Sequence, residues 1–223
     1  MKTAAEALKR VLTEMPGLTT KPSLASTPTA PGSFGPESPK WLGLKLFDDP
    51  KLVMLRDAVV RYHAAILAGG SPHWLSLLGA SGTGKTHSAK ALWAEIKRRC
   101  TWNPEWCAYT PSLIYWPDFV DRLRAGESYG TYNDMKRWPY LVLDDTGAER
   151  DPNGFSAEKL TTLLGCRGGR WTVITGNLSL PQVEAMDVRI ASRMHRDGAR
   201  VVEVTAMDFA FRPEETPTTS TKP

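Results

Sequence analysis

The sequence is poor in cysteine and histidine, with three of one (Cys100, Cys107, Cys166) and four of the other in 223 residues. No two cysteines stand in a C-x-x-C spacing and the histidines do not cluster. That excludes a zinc-ligand signature and a disulfide framework, and it fits a reducing, cytoplasmic setting. There is no run of about 18 apolar residues, so no membrane span is expected. Lys2, Lys9 and Arg10 lie among alanines without the apolar stretch of a secretory signal. Internal repeats are absent. A strong charge of one sign is also lacking: 28 basic against 24 acidic residues leave +4. That is compatible with nucleic acid but not diagnostic of it. What remains is an ordinary globular composition, 41% hydrophobic and 23% charged, in a chain long enough to bury a core.

Composition divides the chain. Ala4, Ala7, Leu8, Val11, Leu12 and Met15 recur at helical spacing, which predicts an amphipathic helix over 1–15, closed by Pro16-Gly17. Residues 16–40 turn to Pro, Ser, Thr and Gly and read as a flexible linker. A short helix on such a tether is marginal alone, and docking on a partner accounts for it better than packing in place. The folded core is expected over 41–212, with a disordered Pro/Thr/Glu tail over 213–223.

Within the core, Asp49-Pro50 reads as a cap and first turn, followed by the stripe Leu52, Leu55, Val59, Tyr62 and Ile66 and the stop Gly69-Gly70. Strands are expected at 73–78, Trp106–Thr110, Tyr140–Leu143, Trp171–Thr175 and Arg200–Val204. Helices are expected after Pro117, after Ser156 as cap, after Ser179 with Gln182 in a capping box, and after Asp187. Strands alternating with helices imply a parallel sheet covered on both faces.

The chemistry begins at Gly79-Ala80-Ser81-Gly82-Thr83-Gly84-Lys85-Thr86, which reads G-x-x-x-x-G-K-[ST]. An apolar segment precedes it and a helical stripe (Ala89, Leu92, Trp93, Ile96) follows. Strand, glycine loop and helix together make a phosphate cradle of backbone N–H groups at a helix N-terminus. Lys85 is placed to reach the β- and γ-phosphates of ATP and Thr86 to bind Mg²⁺, with His87 next in the same binding stretch.

Tyr140-Leu141-Val142-Leu143-Asp144-Asp145 is an apolar strand ending in two acids. Such a strand delivers them to the sheet edge where the loop sits. Asp144 is expected to hold Mg²⁺ through water, and Asp145 to orient or deprotonate the attacking water. The plain alternative is a solvated Asp-Asp-Thr-Gly turn. A second polar-tipped strand, Trp171 to Asn177, offers the Asn177 amide to the γ-phosphate or the water, the alternative again being a turn. Arg189 and Arg193 share a helix face. They are either a solvated basic face or an arginine offered to a neighbouring subunit's nucleotide, and spacing does not choose.

In order along the chain, Gly79–Thr86, Leu141-Val142-Leu143-Asp144-Asp145, Thr175-Gly176-Asn177-Leu178 and Arg189-Ile190-Ala191-Ser192-Arg193-Met194 resemble the DnaC/IstB family of AAA+ ATPases, which includes helicase loaders and transposition helpers. The resemblance covers roughly Phe47 to Arg212. It implies an α/β P-loop NTPase (AAA+) core in three αβα layers, a five-stranded parallel sheet in the order 5-1-4-3-2, and a lid absent or reduced. By motif, Asn177 becomes the polar sensor of the γ-phosphate, and Arg193 the arginine finger, with Arg189 second. Gly176 stands where the family usually has serine, Arg167 where it usually has arginine. The N-terminal segment is much shorter than the family's helical helicase-gripping domain.

The function so implied is an ATP-dependent helicase loader with weak or partner-stimulated ATP hydrolysis. Its partners would be a replicative DnaB-like helicase, docked through residues 1–15, single-stranded DNA, and further copies of the chain through Arg193. Arg122, Arg124, Lys136, Arg137, Arg167 and Arg170, with Tyr129, Tyr132, Trp138 and Trp171, could supply charge and stacking for single strands, or be ordinary surface and core. An IstB-like transposition helper binding duplex DNA and a transposase is the alternative. A small-molecule kinase and a non-hydrolysing adaptor are further readings of the same loop.

Overall fold

The computed structural model describes residues 38–102, 111–196 and 198–212. The helix expected over 1–15, nearly all of the linker, the strand expected at 106–110 and the tail over 213–223 lie outside the described residues.

Helix α1 (Pro50–Ala68) forms as its caps dictate. The Asp49 carboxylate accepts the Lys51 N–H at 2.9 Å, Pro50 sits where no N–H partner is needed, and Gly69 ends the helix in the left-handed region. Its predicted stripe from Leu52 to Ile66 is buried. The strands are β1 (Trp74–Leu78), β2 (Ser112–Tyr115), β3 (Tyr140–Thr146), β4 (Trp171–Gly176) and β5 (Arg200–Glu203). They pair in parallel in the order β2-β3-β4-β1-β5, which is the expected 5-1-4-3-2 read from the other edge. All five residues of β1 are buried. Alternate residues of a strand face opposite sides, so the sheet is covered on both. The covering helices are α2 (Lys85–Trp102), α3 (Trp116–Arg124), α4 (Tyr129–Met135), α5 (Phe155–Gly165), α6 (Leu180–Met186) and α7 (Val188–Met194). Trp116, Phe119, Leu143, Leu160, Ile174 and Ile190 stand in one core cluster that joins sheet and helices. No helix among the described residues is long and apolar enough to cross a membrane.

Several local details depart from expectation. β2 is Ser112–Tyr115, in register with Leu141–Asp144. Four residues between two prolines carry too little pattern to be read as a strand. The polar stretch 126–138, whose sequence allows either a loop or a broken helix, contains α4, which the buried Tyr132 and Met135 anchor. Helix α5 is not capped by Ser156. Instead Asp151 reaches forward to accept the Ser156 and Ala157 N–H groups, each at 3.0 Å, and Ser156 Oγ turns inward to Trp116 and Glu149. The Ser179–Gln182 capping box on α6 forms as predicted. Cys100 is disulfide-bonded, which cysteine spacing along the chain gave no reason to expect, and Cys166 is free.

Arg167 is wholly buried at the start of β4. Its Nε donates to Thr172 Oγ1 and one terminal nitrogen to the Trp171 carbonyl, each at 2.9 Å; the other donates to the Met135 carbonyl. Burial pushes the guanidinium down to about 9, and no carboxylate among the described residues pairs with it. Arg167 therefore ties the end of α4 to β4, and neither it nor the buried Tyr132 is available to nucleic acid. Replacing Arg167 with methionine takes a donor from the Met135 and Trp171 carbonyls and leaves the Thr172 hydroxyl with only its own bond to the Arg170 carbonyl, at a cost of about 3 kcal/mol. Urea unfolding measures it; a midpoint equal to wild type would refute this role.

Candidate functional site

Because every strand runs the same way, the chain leaves β1, β3 and β4 at one edge of the sheet. After β1 it turns sharply. Gly79 has a φ of 114°, and a Cβ there would meet the Val204 carbonyl oxygen at 2.5 Å. Gly82 has a φ of 67°, and a Cβ would fall 2.0 Å from the Asp208 carboxylate. Both positions need glycine for backbone sign, and Gly79 also for space, since the atom it would meet is backbone whereas Asp208 presents a movable side chain.

The loop runs into α2, whose first residues carry the chemistry. Lys85 is only 4% exposed and folds back over its own loop, donating to the Ala80 carbonyl oxygen and, at 3.3 Å, to Thr83 Oγ1. Burial pushes its ammonium below the usual lysine range, against the pull of the Asp145 and Asp144 carboxylates. Thr86 Oγ1 donates to Asp144 Oδ1 at 2.9 Å, and Thr175 Oγ1 of β4 donates to the same oxygen at 2.7 Å. Asp144 is 1% exposed, with the Lys90 ammonium 3.5 Å from its other oxygen.

Asp145 sits differently. The β3–β4 register shifts between Leu143 and Thr146, and Asp145 has a φ of 64°. A bulge re-aims the side chain it carries, and a left-handed non-glycine costs about 1–3 kcal/mol. The carboxylate so aimed accepts from Asn177 Nδ2 at 2.5 Å and from the Tyr115 hydroxyl at 3.3 Å. It is held between the tips of β4 and β2.

These residues line one cleft of about 1050 Å³. Ser81, Gly82, Thr83, Gly84, Lys85, Thr86, Asp144, Asp145 and Asn177 all border it, so the predicted loop and strand tips come together. His87 borders it too, but its Nε2 donates to the Leu42 carbonyl at 2.8 Å and fixes the segment before α1. Arg193 is elsewhere: it donates to the Thr161 carbonyl at 2.6 Å, packs on Gly165, and its buried Nε has no hydrogen bond among the described residues. Arg189, 66% exposed, forks onto Asp187 at 3.0 and 2.9 Å.

Sequence reasoning missed Thr175, Tyr115 and the wall formed by Phe47, Phe209 and Arg212. A threonine at the tip of an otherwise largely apolar strand was the available signal for the first. Tyr115 was hidden with β2.

No protein-family model matches the sequence, and no curated protein matches it. Among solved structures the chain is similar to DnaI, with a TM-score of 0.56 and 23% identity over 75% of this chain and 88% of that one. It is similar to the DnaC helicase loader, with a TM-score of 0.51 and 20% identity over 67% and 89%. It is also similar to the replication initiator DnaA bound to AMPPCP and single-stranded DNA, with a TM-score of 0.52 and 20% identity over 69% and 46%. What is shared at such identities is the fold, a five-stranded parallel α/β core with a glycine loop after its first strand.

The Arg189 side chain beside Asp187, outweighing burial, holds that carboxyl down to about 2. The folded value is below the unfolded one, near 3.8. The stabilisation is therefore complete above about pH 4 and is lost as pH falls from there toward 2. Asp187→Asn should flatten the acid limb of a stability–pH curve followed by circular dichroism in that window. An acid limb as steep as wild type would contradict the pairing.

Proposed function

We propose that the chain is an ATP-dependent loader of a replicative helicase, working with Mg²⁺ and single-stranded DNA at the initiation of DNA replication. The observation that carries this reading is the convergence of the glycine loop, the buried Asp144 beside Thr86, and Asp145 held by Asn177 in one cleft. The similarity to DnaI, the DnaC helicase loader and DnaA bound to AMPPCP and single-stranded DNA supports it.

Lys85 exchanges its two loop contacts for the β- and γ-phosphate oxygens. Thr86 and Asp144 offer adjacent oxygen ligands suited to Mg²⁺. Among the described residues no group of three or more His, Cys, Asp or Glu side chains converges, which fits an ion completed by phosphate and water. When bound, Mg²⁺ neutralises phosphate charge. Asp145 accepts a proton from the attacking water, and Asn177 and Tyr115 fix the carboxylate for it.

An arginine from a neighbouring copy completes the charge stabilisation. Arg193 holds the motif position and must leave the Thr161 carbonyl to serve; Arg189 already stands in solvent on the same helix. Residues 1–15 dock on a DnaB-like helicase.

Lys85→Ala should abolish ATP binding in equilibrium dialysis; retained affinity would refute the phosphate-loop role. Asp145→Asn should keep affinity while turnover, with and without single-stranded DNA, drops about 100-fold or more. An unchanged rate would remove Asp145 from the chemistry. Deleting residues 1–15 should leave an ATP-binding core that no longer retains the helicase in a pull-down, and undiminished recovery would rule out docking through this segment.

A further inference from the structure

Residues Thr205–Arg212 follow β5 and contain one 3₁₀ turn, Phe209–Phe211. Apolar burial holds this segment only in part: Ala206 is buried, but Met207 and Phe211 are 60% and 79% exposed. Polar contacts tie down both ends. At one end the Thr205 carbonyl accepts from Lys51 Nζ at 3.0 Å; at the other Arg212 pairs with Asp49 at 2.6 Å. Both partners belong to the start of α1. Between them, the Phe209 N–H donates to the Gly82 carbonyl of the phosphate loop at 2.8 Å. The Asp208 carboxylate fills the space a Gly82 side chain would need.

The Phe209 ring meets Phe47 edge-on at 5.3 Å, and the Arg212 guanidinium lies over both rings, at 5.4 and 5.0 Å. Phe47, Phe209 and Arg212 form a wall of the cleft. Arg212 also holds the Asp49 carboxyl below its usual range, chiefly through their hydrogen bond. Asp49 is thus both the cap of α1 and the counter-ion of this segment.

We propose that Thr205–Arg212 is a strap over the nucleotide cleft, latched by the Arg212–Asp49 ion pair and seated on the glycine loop through Phe209, and that it sets how fast nucleotide leaves. This rests on the reading of the cleft as an ATP site. The latch shares no hydrogen bond with Asp144, Asp145 or Asn177 among the described residues, and its Asp49 half does not line the cleft, so the rate of nucleotide release is the quantity that reads it. Among the described residues one hydrogen bond joins strap and glycine loop, the one from Phe209 to Gly82, which is how a change in the loop reaches the latch.

The test is stopped-flow release of a fluorescent ATP analogue from wild type, Arg212→Gln, Asp49→Asn and the double variant. Asn at position 49 keeps an oxygen to cap α1 while removing the charge, so faster release there does not report a damaged helix. Each single variant should release about tenfold faster, and the double variant no faster still, because both changes remove one interaction. Hydrogen exchange on nucleotide-free protein reads the strap directly, and peptides covering 205–212 should exchange faster in all three variants. If wild type binds the analogue and the variants release it at the wild-type rate, the strap is overturned and the ATP reading stands. If wild type does not bind it, both fall. Unaltered exchange over 205–212 overturns the latch, whatever the nucleotide result.

Discussion

One oxygen of Asp144 accepts hydrogen bonds from the hydroxyls of Thr86 on α2 and Thr175 on β4, while the carboxylate itself belongs to β3. The group is almost entirely removed from water. A carboxylate so placed and left without donors would cost several kcal/mol. Three elements that meet nowhere else in sequence are therefore bound to one another by the need to satisfy a single side chain. The phosphate loop inherits its position from this, because Thr86 is the second residue of the helix that the loop opens into. Separating α2 from the sheet would take the Thr86 hydroxyl and the Lys90 ammonium from Asp144 and leave it Thr175 alone, so the loop is tied to the sheet edge.

β4 is pinned near both ends by its own threonines. Thr175 donates to Asp144 and accepts the Asp145 N–H at 2.9 Å. Near the other end, Thr172 accepts from the buried Arg167. The two residues are three apart and so face opposite sides of the sheet. The strand that lies between the one bearing the glycine loop and the one bearing the acids cannot slide or roll without breaking a buried polar contact on one face or the other. Arg167 and Asp144 solve the same problem differently: the cation rests on carbonyls that need a donor anyway, and the anion on hydroxyls.

What the sequence made legible was local. The glycine loop, the acids after Leu143 and the asparagine after Gly176 are each announced by neighbours within a few residues. The alternation of strands and helices carried the parallel sheet, while its strand order came only from the family resemblance. What it hid depends on distant partners. Tyr115 matters because β2 lies beside β3. Asp151 replaces Ser156 as cap because the turn before α5 brings a carboxylate back over its first N–H groups. Phe47, Phe209 and Arg212 come from opposite ends of the core and have no common pattern along the chain. Arg193 shows the reverse limit: a motif can assign a residue, but the half-buried bond to the Thr161 carbonyl is set by how α7 packs on α5.

The register break in β3 has a mechanical meaning. Leu143 pairs with Ile174 before it and Thr146 with Gly176 after it, and neither Asp144 nor Asp145 takes part in the β4 ladder between them. The Asp145 amide bonds a side chain instead of a neighbouring backbone. Rotation about its own dihedrals therefore tears no rung from the β3–β4 ladder, and Asp144, in register with Tyr115 of β2, and Thr146, paired with Gly176, confine that rotation to Asp145 itself. Asp145 is mounted like a key on a fixed frame, able to turn in place while the strand that carries it stays still.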